Sequence, residues 1–158
     1  MKKELFISLL ICGILTACTI IKKQTNEPQL GSDYSETVAG IDQDKNGIRD
    51  DIDTFIKQRY STPAQQRAAS QYAKGLQASL LVNIRDHQAV KITTATKAQG
   101  ISCIFKSFPG GRNANNESVV GELLAITTNT KQRLNAYAAL DRTMDSEVDS
   151  LPPDDACI

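Results

Sequence analysis

The sequence predicts an all-α fold, a small bundle of four to five helices, and three observations carry that prediction. Apolar residues recur at helical spacing along most of the chain beyond residue 50, and cap signatures precede several of those runs. Only 5% of residues are aromatic, Trp is absent and alanine is abundant, a composition that favours close-packed helices over a β-sandwich.

Residues 50–60 place Ile52, Phe55, Ile56 and Tyr60 at helical spacing. Asp50, Asp51 and Asp53 stand at the amino end, where the helix dipole favours negative charge. A first short helix follows from this. In Thr62-Pro63-Ala64-Gln65 a cap residue is followed by proline at the first helical position and by Gln three residues after the cap, which starts a second helix. Its buried stripe is predicted as Ala69, Tyr72, Ala73, Leu76, Leu80 and Ile84.

Between residues 86 and 96 the pattern weakens, because Val90, Ile92, Thr93, Thr94 and Thr96 are β-branched. A third helix ending near Phe105 is expected, with Ala95, Ala98, Ile101, Cys103 and Phe105 available for the core; a short strand over 90–94 is the competing reading. Pro109-Gly110-Gly111 and the Asn-rich stretch to Asn116 form a loop. A fourth helix over about 117–127 runs through Val120, Leu123, Leu124 and Ile126, and Asn129 with Gln132 resembles a capping box for a fifth. That helix places Leu134, Tyr137, Ala138, Asp141, Met144 and Val148 on one side.

The start of the chain has a different character. Met1, Lys2, Lys3 and Glu4 precede a run from Leu5 to Ile21 that only Ser8, Gly13, Thr16 and Thr19 interrupt, the order of zones in a secretory signal. The run contains Leu15-Thr16-Ala17-Cys18, which resembles the lipobox of bacterial lipoprotein precursors. The resemblance implies that residues 1–17 are a signal peptide, that the Cys18 thiol takes a diacylglycerol, and that the new amino terminus is acylated, as with palmitate. Three acyl chains exceed the two signals that stable membrane attachment needs. The alternative is an uncleaved spanning helix, since the run reaches the lower limit of about 17 residues for a span and Lys22 and Lys23 flank it. Thr19 is not the aspartate that usually marks retention at the inner membrane, so the resemblance implies an outer-membrane lipoprotein of the cell envelope, on the periplasmic or the surface side.

Residues 18–37 are polar, with Pro28 and Gly31 among Gln, Asn, Ser and Thr, and read as a lipidated terminus and flexible tether. Residues 38–158 then make one domain of ordinary size. Eighteen bases balance eighteen acids, and the bases are scattered, so no electrostatic footprint for nucleic acid is present. Of four cysteines, Cys12 leaves with the signal and Cys18 is lipidated. Cys103 and Cys157 are left to pair in an oxidising compartment. Closing a loop of about 55 residues contributes on the order of 4 kcal/mol in the chain-entropy model, and it would hold down a tail that Pro152 and Pro153 keep from being helical.

One stretch carries chemistry. Residues 42–53 put oxygen side chains at loop positions one, three, five, nine and twelve, namely Asp42, Asp44, Asn46, Asp50 and Asp53, with Gly47 at six. Calcium takes six to eight hard oxygen ligands, and this spacing wraps a short loop around one ion while glycine permits the sharp turn. The string resembles the DxDxNGxxDDxE loops of thrombospondin type 3 repeats and, more distantly, EF-hand and dockerin loops. That resemblance implies side-chain ligation by Asp42, Asp44 and Asn46, carbonyl ligation by Ile48, ligation by Asp50 directly or through water, and a last ligand from Asp53. Asp53 is shorter than the usual Glu, no long helix precedes the loop, and no second loop is present, so the expectation is a structural calcium clip. An acidic turn that caps a helix without metal is the alternative.

His87, the single histidine, lies in the polar stretch Arg85-Asp86-His87-Gln88 and reads as a solvated helix residue. Gly110-Gly111-Arg112-Asn113 lacks the GK[ST] ending of a phosphate loop. Asp154-Asp155, and Asp145 with Glu147, read as solvated surface. Three roles remain open: a non-enzymatic envelope lipoprotein that binds a protein or envelope component, an inhibitor or immunity lipoprotein against a toxin or lytic enzyme, and a cell-wall hydrolase.

Overall fold

A computed structural model describes residues 31–110, 113–144 and 157–158. The described residues are all helical in their regular structure: α1 Asp50–Arg59, α2 Pro63–Leu81, α3 His87–Ser107, α4 Ala114–Thr127 and α5 Lys131–Thr143. None of these helices is long and apolar enough to cross a membrane.

The second helix is the axis of the bundle: it packs along its length on α3 and also touches α1, α4 and α5. Glycine permits this closeness. A Cβ on Gly100 would lie 2.5 Å from the Tyr72 Cα, and one on Gly75 would lie 2.8 Å from the Lys97 Cα, so the α2 and α3 backbones meet where one helix or the other has no side chain. Ile52, Phe55 and Ile56 of α1, Tyr72 and Leu76 of α2, Ile104 of α3, and Leu123 and Ile126 of α4 fill one core. Tyr60 meets Phe55 and Phe108 edge to face, with ring centroids 6.2 and 5.2 Å away.

Residues 90–94 are helical, which removes the competing strand. Asp86 caps α3 by accepting from the Ala89 N–H at 3.0 Å, and burial against α2 outweighs the modest propensity cost of the β-branched residues. Thr62 caps α2 through the Gln65 N–H with Pro63 in the first position, as the sequence indicates. Two expected helix starts shift. Asn113 starts α4 three residues early by accepting from the Asn115 and Asn116 N–H groups, and Thr130, not Asn129, caps α5 by accepting from the Arg133 N–H.

The predicted inward face of α5 holds at Tyr137, which packs against the core, and fails elsewhere. Leu134 and Asp141 face solvent while Arg133 and Leu140 are buried, because an arginine occupies a position that periodicity assigns to an apolar residue. Ala95 is exposed, and Ile104 supplies the α3 core contact instead. Ile84 lies beyond the end of α2 and is largely exposed, since Val82 already leaves the helix. Val148 and the acids Asp145, Glu147, Asp154 and Asp155 lie outside the described residues.

Cys103 on α3 and Cys157 form a disulfide with Cα atoms 4.9 Å apart. It seats the last residue on α2, where the Ile158 N–H donates to Gln71 Oε1 at 3.1 Å.

Candidate metal centre and its anchoring cluster

Two acidic groups flank the start of α1, and they are built differently. In the first, the backbone turns sharply at Lys45 and Gly47, both at positive φ (57° and 88°), so the loop curls back on itself. The curl aims the Asn46 and Gly47 N–H groups at the Asp42 carboxylate, at 3.2 and 3.0 Å. Asn46 also donates its N–H to Asp44 Oδ1 at 3.1 Å, and Asn46 Oδ1 accepts from the Ile48 N–H at 2.8 Å. These short Asx turns hold the side chains of positions one, three and five on the inside of the curl.

The result is that Asp42, Asp44 and Asp50 each place an oxygen within 4.8 Å of the others, a group that could hold a metal ion. The Asp50 N–H closes the loop on the Ile41 carbonyl at 2.9 Å, and Asp50 Oδ1 accepts from the Gln43 N–H. Asp53 stands outside the three-acid group: Asn46 Nδ2 donates to it at 2.6 Å and to Asp44 at 3.0 Å. Ile48 buries its side chain in the core, which fixes the seventh position to the domain. The donor set is hard oxygen throughout, suiting a hard cation. None of the described ion pairs involves Asp42, Asp44 or Asp50.

Beneath this loop lies a cluster that sequence reasoning misses. Arg49 and Arg133 are both fully buried, and both face Asp33. Arg49 pairs in a fork with Asp51, Nε to Oδ1 at 2.8 Å and Nη2 to Oδ2 at 3.0 Å, and donates to the Thr127 and Ile126 carbonyls at the end of α4. Those carbonyls have no partner within their helix, so one guanidinium completes α4 and anchors α1. Arg133 gathers the chain before the loop: it donates to the Asp33, Thr37 and Val38 carbonyls, to Ser35 Oγ and to Asn129 Oδ1.

Residues 31–37, assigned to the tether by composition, are therefore built into the domain. Asn129 donates to the Gly31 and Asp33 carbonyls and Gln77 donates to Ala39 O at 2.7 Å, which explains why Asn129 does not serve as the cap of α5. Burial alone would raise the Asp33 carboxyl, but hydrogen bonds from Ser35 and the Ile41 N–H, with the Arg133 charge, hold it well below the usual carboxylate range. Burial and the Arg49 charge push Arg133 down, against the pull of Asp33. Nothing in periodicity marks these arginines, because Arg49 sits inside the polar loop and Arg133 sits in a polar run where solvated charges are the rule. The adjacent signal was Asp51, read only as a partner of the helix dipole.

A groove of about 620 Å³ opens beside the loop, with Asn46, Ile48 and Asp53 in its wall and α1, α2 and Ile158 around it. His87 is exposed at the start of α3, as expected. No protein-family model matches this chain, and it matches no curated protein and no solved structure.

Proposed function

We propose that this is a lipid-anchored protein of the bacterial envelope, held at the outer membrane through Cys18, whose helical domain is a non-enzymatic binding module steadied by calcium. The observation that supports the calcium assignment is the convergence of Asp42, Asp44 and Asp50 around a curled loop with no ion pair to them among the described residues, beside a cluster where every acid has one. Calcium supplies positive charge to that convergence and ties the ends of the loop together, with Asn46, Ile48 and Asp53 as the further ligands that the loop resemblance implies. Cys18 lies outside the described residues, and the anchor rests on Leu15-Thr16-Ala17-Cys18 alone.

The groove supports binding over hydrolysis, since its carboxylate, Asp53, is engaged by Asn46. The described carboxylate with a resolved shift, Asp33, is shifted downward, the wrong way for a general acid. A toxin or lytic enzyme as the bound partner is a special case of the same module.

The test is expression of tagged wild type, Cys18→Ala and Asp44→Ala in a Gram-negative host. Wild type and Asp44→Ala partition with membranes and take up labelled palmitate, Cys18→Ala does neither, and a partner captured with wild type in millimolar calcium is lost with Asp44→Ala. Unlabelled wild type would refute the anchor, and capture indifferent to Asp44 would refute the role of the metal.

A further inference from the structure

The groove beside the loop has an apolar floor and a basic rim. Ile48, Ile56 and Pro63 line it, and the exposed side chains of Lys57, Arg67 and Lys74 stand along it. The described ion pairs join Arg49, Arg59 and Arg133 to acids, so none of the three rim cations is matched within the described residues. Asp53, the acid in the wall, is already held by Asn46 at 2.6 Å. Among its described lining residues the groove thus has an apolar floor and a net positive charge, three cations against the one acid Asp53.

We infer that this groove takes an acidic, partly apolar peptide segment of a partner protein, laid along α2 with its carboxylates against Lys57, Arg67 and Lys74. The spacing of the charges selects a peptide over a lipid headgroup. Arg67 and Lys74 are seven residues apart on α2, about 10 Å along its axis at about 1.5 Å per residue. A headgroup concentrates its charge at one point, whereas an extended segment, rising about 3.3 Å per residue, meets the two cations with acids about two or four residues apart on one face, the long Arg67 and Lys74 side chains taking up the difference, and turns its other face toward the apolar floor. Asn46 and Asp53 belong to both loop and groove, so the loop forms one end of the peptide's bed. The inference rests on the binding-module reading and names the class of partner.

The test is selection of a displayed library of random peptides, each about twelve residues long, on the full-length protein in non-ionic detergent. Peptides enriched in Asp and Glu with interspersed aliphatic residues are expected. A labelled member of that pool should bind about tenfold or more weakly to the Arg67→Glu/Lys74→Glu variant, by fluorescence anisotropy. Ser70→Trp, which fills the groove and leaves its charges in place, should weaken binding as well, and unchanged melting of both variants excludes unfolding as the cause. No acidic enrichment, or equal binding to the charge-reversed protein, overturns the inference. So does retention on phosphatidylglycerol vesicles, abolished by the double reversal, with no acidic peptide selected. Failure of the selection while calcium still binds removes the groove alone, and acidic peptides selected by a protein indifferent to calcium remove the metal alone.

Discussion

The two acidic groups at the start of α1 use the same residue type, a few positions apart, to opposite ends. Asp33 and Asp51 face Arg49 and Arg133, so the protein supplies its own cations and seals them under the residues 31–41 segment. Asp42, Asp44 and Asp50 converge with no arginine or lysine of the described residues paired to them. A buried carboxylate without a counter-ion is costly, and a pair broken on one side costs more than a pair never made. The inner group must therefore be complete for folding, while the outer one, partly open to solvent, can wait for a cation from the medium.

Breaking the inner group has the largest expected effect. Arg133→Ala removes one of the two cations facing Asp33, leaves several carbonyls of the 33–38 segment without that donor, and should destabilise the domain by about 3–5 kcal/mol, read from denaturant unfolding. Asp33→Asn keeps the shape but removes the charge, and should cost about 1.5–3 kcal/mol at neutral pH. Its pH dependence has a fixed sign. The folded carboxyl is depressed, so its contribution is full above the unfolded value of about 3.9 and is lost as pH falls through the lower folded value. Melting temperatures taken from about pH 7 down to about pH 3 should thus fall more steeply for wild type than for Asp33→Asn.

The outer group predicts a smaller and conditional effect. At about 10 mM calcium, a site of about 10⁻⁴–10⁻³ M affinity stabilises by about 1.4–2.7 kcal/mol, and Asp44→Ala should abolish that increment without lowering stability in chelator by a similar amount. The smallest effect sharpens the boundary between them: Thr130→Ala, which removes the α5 cap, should cost about 1 kcal/mol with and without calcium alike.

Much of this contrast was legible only on one side. Local signals carried what local physics decides: the Thr62-Pro63 start of α2, the apolar face of α1, the turn glycine at Gly47 and the pairing of Cys103 with Cys157. The outer acids were legible because their spacing is itself the motif. The inner cluster was not, since Asp33, Arg49 and Arg133 lie far apart in sequence and each looks like an ordinary surface charge in its own window. Missing Arg133 also displaced the predicted face of α5 onto Leu134 and left residues 31–37 to the tether. The groove needed α1, α2 and Ile158 in register, which no single segment encodes.

The most direct test of the outer group is a calcium titration of isotopically labelled protein followed through the Gly47 amide, whose N–H points at Asp42. The Gly47 and Asn46 signals should move along one saturating curve near millimolar calcium, in wild type and Thr130→Ala alike, and stay still in Asp44→Ala. A Gly47 signal unmoved at about 10 mM calcium, or one that moves equally in Asp44→Ala, would contradict the assignment of the outer acids to a calcium ion.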